Sequence, residues 1–321
     1  MTPTPYRFWW ARRKFLASVL GALTLVGTAC GTGRDGTPST STQTGVFPVT
    51  VKAANGDVRI DQRPERIVSL SPTGTEMLFA VGAKDQVVAV DESSDYPPEV
   101  PKTDLSGLQP NVEAIAKFNP DLVITSDDPN NLVKSLDALD IPVMRQPPAR
   151  TLDDTYQQIT QLGVATGHST EAANLVADMK SRIERLVKLA PKFSEPPTYY
   201  HELDATGYTV TSRTFIGEIY RLVGLKNIAD AATGTGSEYP QLAAEFVLKA
   251  DPDLIFLADT KCCGQSAKTV AKRPGWKEIT AVKTGAVVEL DDSMASRWGP
   301  RVTDFLDVVV QALAKLESAK S

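Results

Sequence analysis

The sequence predicts an α/β fold of two Rossmann-like lobes with parallel-rich sheets, joined by one long rigid helix. Three observations carry that expectation. Short apolar runs alternate with helical segments, which is the pattern of a parallel sheet covered by helices. The two halves share a grammar: residues 76–82 match 218–224, each opening on Glu and closing on Val-Gly. Likewise Glu113, Lys117, Pro120-Asp121 and Leu122-Val123-Ile124 return as Glu245, Lys249, Pro252-Asp253 and Leu254-Ile255-Phe256. A period of more than about a hundred residues is a domain duplication and not a solenoid. Third, Ala172, Leu175, Met179, Ile183, Leu186 and Ala190 fall at steps of three and four between the halves, one apolar face of a single helix.

The chain divides in order. Residues 6–14 are basic and acid-free, and 15–29 add an uncharged, mostly apolar run. That run is too short to span a membrane and the right length for a signal-peptide core. It ends at Val26-Gly27-Thr28-Ala29-Cys30, which resembles the lipobox of bacterial lipoproteins, in which the cysteine is acylated. Arg12-Arg13-Lys14-Phe15-Leu16 also resembles a twin-arginine export signal, so both export routes stay open. Residues 1–30 are therefore read as a lipoprotein signal peptide ending at an acylated, palmitate-bearing Cys30. Residues 31–45 hold four Gly, five Thr, two Ser and one Pro. They form a flexible tether with a reach of roughly 20 Å.

A first α/β lobe spans 46–150. It opens on a hairpin over 48–60 with Asn55-Gly56 as its turn. Strands follow at 66–70, 87–90, 122–124 and 141–144, and helices at 75–81, 112–118 and 131–139, with Asn111 as an N-cap. Residues 151–192 form the helical linker. One helix over 152–162 is interrupted by Gly163 and Gly167, and a second, capped by Ser169, runs to Ala190 before Pro191. Residues 193–321 repeat the α/β pattern.

The 321-residue chain has a net charge of −5, and without the four cations of its first thirty residues 30 basic residues face 39 acidic ones, a net of −9. Nucleic acid and anionic membrane surfaces recruit clustered positive charge, so neither is an expected partner. Membrane contact is through the lipid anchor only. Two histidines and three cysteines leave little material for a His-rich metal site or a disulfide scaffold. Adjacent Cys262-Cys263 is read as a pair of thiols in a turn or as a disulfide across neighbouring residues, with metal ligation the least favoured reading.

Five segments in order resemble one family. They are Arg66-Ile-Val-Ser-Leu-Ser-Pro-Thr-Gly-Thr-Glu76, Asp95-Tyr-Pro-Pro98, Asn111-Val-Glu113 with Pro120-Asp121, Glu245 with Pro252-Asp253, and Arg297-Trp-Gly-Pro-Arg301. Together they are similar to the substrate-binding lipoproteins of ABC importers for iron siderophores, haem and cobalamin, and nearest among these to cobalamin binders. The resemblance implies a ligand cleft between the lobes and a bound cobalt or iron chelate with no resident cofactor or metal. It also implies a monomer that delivers its ligand to a permease driven by a cytoplasmic ATPase. Glu113 and Glu245 are then the permease-docking residues.

In α/β lobes ligands sit at the carboxyl ends of strands. That nominates loops 71–75, 91–96, 106–109 and 127–130, and 204–214, 237–241, 259–265 and 292–298. The candidate ligand-binding residues are Thr73, Tyr96, Tyr208, Arg213, Tyr239, Arg297 and Trp298. Aromatic rings suit a planar ligand, and Arg213 and Arg297 suit carboxylate or phosphate oxygens. Ser93 and Gly107 stand where cobalamin binders have aromatics, so cobalamin, haem and ferric siderophores all remain candidate ligands.

The competing classes are an exported α/β hydrolase-type enzyme and a surface adhesion lipoprotein. His201-Glu202 starts like a zinc-protease motif, but position 205 is Ala where a second His is required, and no Gly-x-Ser-x-Gly elbow occurs. The expectation is therefore no enzyme and no catalytic residue. The anchor is directly testable. Cys30→Ala releases the protein from the membrane fraction or leaves it unprocessed; a cleaved, mature variant that still fractionates with membranes contradicts the lipobox reading.

Overall fold

The computed structural model describes residues 46–232 and 236–320. The expected signal peptide with Cys30, and the expected tether, lie outside the described residues. Strands β1 (Val49–Ala53) and β2 (Gly56–Ile60) pair antiparallel, Val49 opposite Ile60 and Val51 opposite Val58. The turn sits at Ala54-Asn55, one residue earlier than expected. The reason is the Asn55 side chain, which donates to the Val143 carbonyl and accepts the Arg145 N–H, both at 2.9 Å. Gly56, at φ 110°, opens β2 instead, in a region that glycine enters without steric cost.

In the first lobe β3 (Ile67–Leu70), α1 (Pro72–Ala80), β4 (Val87–Val90), α2 (Val112–Ala116), β5 (Leu122–Thr125), α3 (Leu132–Asp137) and β6 (Val143–Arg145) alternate. The sheet order is β4-β3-β5-β6, and every pairing is parallel. Helices α4 (Leu152–Thr166) and α5 (Ser169–Leu189) follow. The second lobe runs β7 (Thr198–Glu202), α6 (Phe215–Leu222), β8 (Lys226–Asn227), α7 (Ala244–Ala250) and β9 (Leu254–Leu257). It continues through three short helices, α8 (Thr260–Cys263), α9 (Ala267–Val270) and α10 (Thr280–Lys283), to β10 (Val287–Glu289). Helix α11 (Asp292–Ser296) and the long α12 (Val302–Lys320) close the chain. Its sheet, β10-β9-β7-β8, is again all parallel. Counted from its own first strand, each sheet has the order second, first, third, fourth: the sequence repeat is a repeat of topology.

The recurring Pro-Asp has a structural cause. Asp121 accepts the backbone N–H groups of Glu65 and Arg66 at 2.7 and 2.9 Å, and so ties the start of β5 to the start of β3. Asp253 accepts the Thr198 N–H at 2.9 Å and its hydroxyl at 3.0 Å, the same tie between β9 and β7. The residue ahead of each Pro, Asn119 or Asp251, adopts a left-handed conformation with φ 45° or 43°. Short polar side chains tolerate that turn better than others.

Two expectations in the linker are corrected. Gly163 does not interrupt α4, which continues to Thr166 and ends on left-handed Gly167. Gly163 is instead where α4 and α5 cross; a Cβ there would lie 2.3 Å from the Cβ of Ala172. Ser169 is the first helical residue of α5 and not its cap, since His168 occupies the cap position without a side-chain bond. At 21 residues α5 is about 31 Å long. Its residues Ala172, Met179, Ile183 and Leu186 enter a core that reaches from Val51 in the hairpin to Leu316 at the end of α12. Gly163→Ala tests the crossing. A helical Ala normally gains about 1 kcal/mol over Gly, but overpacking costs about 1–3 kcal/mol. Denaturant unfolding of this variant should show a net loss; equal or higher stability contradicts the close crossing.

Candidate ligand-binding site between the lobes

The carboxyl-end loops of the two sheets meet. After β4 the chain forms a buried polar ladder: Thr75 Oγ1 donates to Ser69 Oγ and contacts Ser94 Oγ, both at 2.9 Å, and Ser94 Oγ donates to Asp91 at 2.5 Å. Burial pushes the Asp91 carboxyl up, against the Ser94 hydrogen bond that favours its charged form. Gly107 is required beside this ladder, since a Cβ would stand 2.7 Å from the Leu70 carbonyl oxygen. That explains why no aromatic occupies position 107.

The loop then crosses to the second lobe. Asp95 pairs with Arg297 at 2.8 Å and accepts the Ser293 hydroxyl at 3.1 Å. Burial alone would raise Asp95, but Arg297 and the Ser293 hydroxyl together hold the carboxyl below its usual range. Arg297 also reaches Glu76 at 2.7 Å and the Ser93 carbonyl at 2.9 Å. Arg301 donates to both oxygens of Glu76, at 2.9 and 2.5 Å, and stacks 4.0 Å over the Tyr96 ring. Elsewhere Arg150 pairs with Glu238 at 2.6 Å.

The sequence-predicted residues separate accordingly. Tyr96, Tyr208 and Tyr239 keep 40, 44 and 48% of their surface exposed at strand carboxyl ends of the two lobes. Burial, and then Glu238, pushes the Tyr239 hydroxyl up, which keeps it a neutral donor. Arg213 is exposed and bonds the Gly236 and Ser237 carbonyls beside Tyr239, at 3.2 and 3.1 Å. Thr73 is buried near the start of α1, its methyl facing Gly299. The Arg297 side chain is 12% exposed and engaged within the protein. Trp298 donates its indole N–H to Gln158 at 2.9 Å. Thr73, Arg297 and Trp298 lie where the lobes meet, each engaged with other parts of the protein. Sequence reading did not assign Glu76 and Arg301, though both stand in the quoted motifs. Glu113 and Glu245 lie apart from the cleft, each exposed in the first turn of α2 or α7, where the helix dipole favours an acid. Cys262 and Cys263 are disulfide-bonded on exposed α8.

The sequence matches the periplasmic binding protein family over residues 67–294. The chain belongs to that family. It is similar to an uncharacterized ABC transporter substrate-binding lipoprotein of Bacillus subtilis, YvrC, at 34% identity, covering 92% of this chain and 95% of that protein. It is 32% identical to the cobalamin-binding protein of Halobacterium salinarum over 80% of this chain and 72% of that one. Among solved structures, the vitamin B12 binding protein BtuF of Vibrio cholerae matches with a TM-score of 0.65 at 27% identity, over 81% of this chain and 99% of that one. A substrate-binding protein and not an enzyme is what the family membership makes of this chain. Consistently, the His201-Glu202 pair is engaged internally, His201 Nδ1 with the Tyr220 hydroxyl at 2.8 Å and Glu202 with Arg273 at 2.5 Å.

The second lobe also buries an acid without hydrogen-bond partners, Asp259. Burial, and then repulsion from Glu202, raises it from 3.8 to about 7. The folded state therefore binds more protons than the unfolded chain between these values, and stability falls as pH rises through that window. Burial lowers His201 to about 3, which acts in the opposite sense below its ordinary value. The difference between wild type and Asp259→Asn isolates the acid. Denaturant midpoints should show the variant gaining on wild type from pH 4 to pH 8; a constant difference contradicts the assignment.

Proposed function

We propose that this protein captures a metal-chelate nutrient between its lobes, cobalamin in the first instance, and delivers it to an ABC importer permease. The observation that carries the reading is the pair of half-exposed tyrosines, Tyr208 and Tyr239, in the carboxyl-end loops of the second lobe. Rings at such positions offer large apolar faces with a polar edge, which suits a planar macrocycle fringed by amides. The cobalamin-binding relatives favour that ligand over haem or a ferric siderophore. The protein acts as a monomer, held at the outer face of the cell membrane by acylated Cys30 and its tether.

Delivery uses Glu113 and Glu245. They stand at the same offset before Pro-Asp in the two repeats, so a permease with two similar halves meets two similar acids. Charges of this kind guide encounter and orientation more than raw affinity.

Titration of the purified protein with cyanocobalamin, followed by tryptophan emission, is the deciding experiment. Saturable binding is expected, weakened about ten-fold by Tyr208→Ala or Tyr239→Ala. Binding of haem or a ferric siderophore in its place corrects the ligand, and binding of none of the three overturns the reading. For docking, Glu113→Ala with Glu245→Ala should keep cobalamin binding and abolish uptake; normal uptake, or lost binding, contradicts the assignment.

A further inference from the structure

Glu76 and Glu218 stand six residues ahead of Gly82 and Gly224 in the two repeats, and each reaches out of its own lobe. Glu76 leaves α1 to meet Arg297 and Arg301, just ahead of α12. Glu218 leaves α6 to face the N–H of Leu152, the first residue of α4. Between these contacts the helix starts themselves are joined: the Thr155 hydroxyl donates to the Trp298 carbonyl at 2.9 Å, and the Trp298 indole to Gln158. The lobes therefore meet along a seam with a centre and two ends.

The ends are unequal. At one, the Glu76 side chain is 2% exposed and receives two guanidinium groups that are 12 and 13% exposed. Asp95, the Ser93 carbonyl, Asp291 and the Tyr96 ring take up the remaining faces of those groups. Charge-assisted bonds between desolvated groups are strong, and removing one partner strands the others. At the other end, one carboxylate oxygen of Glu218 is buried without a hydrogen-bond partner. Its nearest cation, Arg221, is 3.9 Å away on the same helix. The ion pair that crosses there, Arg150–Glu238, is 71 and 35% exposed, and surface pairs of this kind contribute little.

We propose that Glu76 is the positioning residue about which the lobes turn: the seam stays closed at the Glu76 end and opens at the Glu218–Glu238 end, where Tyr239 meets the incoming ligand. The inference uses the cleft of the proposed function but not the identity of its ligand, so it stands or falls separately.

Hydrogen–deuterium exchange on the mature protein without ligand tests it. Glu76→Gln should speed exchange more than about three-fold in residues 93–96 and 297–302, and leave strands β3 and β9 unchanged. A purely structural role would instead loosen the strands as well. Arg150→Gln should speed residues 150–155 and 237–241 and leave 297–302 within about two-fold of wild type. If Glu76→Gln does not fold, Asp95→Asn, which removes an exposed member of the network, is read by the same criterion. The inference is overturned if the deciding variant leaves 297–302 at the wild-type rate, if it loosens β3 and β9 equally, or if Arg150→Gln loosens 297–302 as much.

Discussion

The rest of the structure depends on the burial of one side of α5. Its apolar stripe packs into a core that includes Met77 and Ile124 of the first lobe and Tyr220, Phe256 and Phe305 of the second. Outer clusters under each sheet, around Val123 and around Trp276, belong to one lobe alone. The central core belongs to both. Separating the lobes would expose it to water, at about 25 cal/mol for each Å² of apolar surface. The linker is thus a packed element and not a hinge.

That division sorts the candidate residues. The seam needs strong, directional contacts because water reaches its edges, and it recruits Arg297, Arg301, Glu76 and Trp298 for them. Their residue types also suit a ligand site, and type and position alone did not announce the contacts they make between the lobes. What distinguishes them is partnership: Arg297 has a carboxylate on each of two sides, whereas Tyr208 and Tyr239 present open ring faces. Glu113 and Glu245 differ from Glu76 in the same terms. They have equal charge and similar placement in the repeat, but face solvent on the outside of the lobes.

Much of the fold was legible in the sequence because its signals are local. The strand at 87–90 coincides with β4, Asn111 caps α2 through the Ala114 N–H at 2.9 Å, and the stripe of α5 is the one its spacing predicted. The duplication was legible because Glu, Gly and Pro-Asp recur at fixed offsets. What stayed hidden depends on contacts distant in sequence. Asn55 moved the hairpin turn because β6, some ninety residues away, needs its side chain. Gly163 reads as a breaker until Ala172 is placed against it. Arg301 lies 225 residues from Glu76, and no local pattern announces that pair.

A shared core makes the two lobes one cooperative unit, and urea unfolding measures this directly. A chain that starts at Cys30 holds two of the four tryptophans, Trp276 and Trp298, both in the second lobe. Their emission reports that lobe, while far-ultraviolet circular dichroism reports the helices and strands of both. A single transition is predicted, with the same midpoint and slope by the two probes. A dichroism curve in two steps, only one of which is followed by tryptophan emission, would show lobes that unfold independently and would contradict the account.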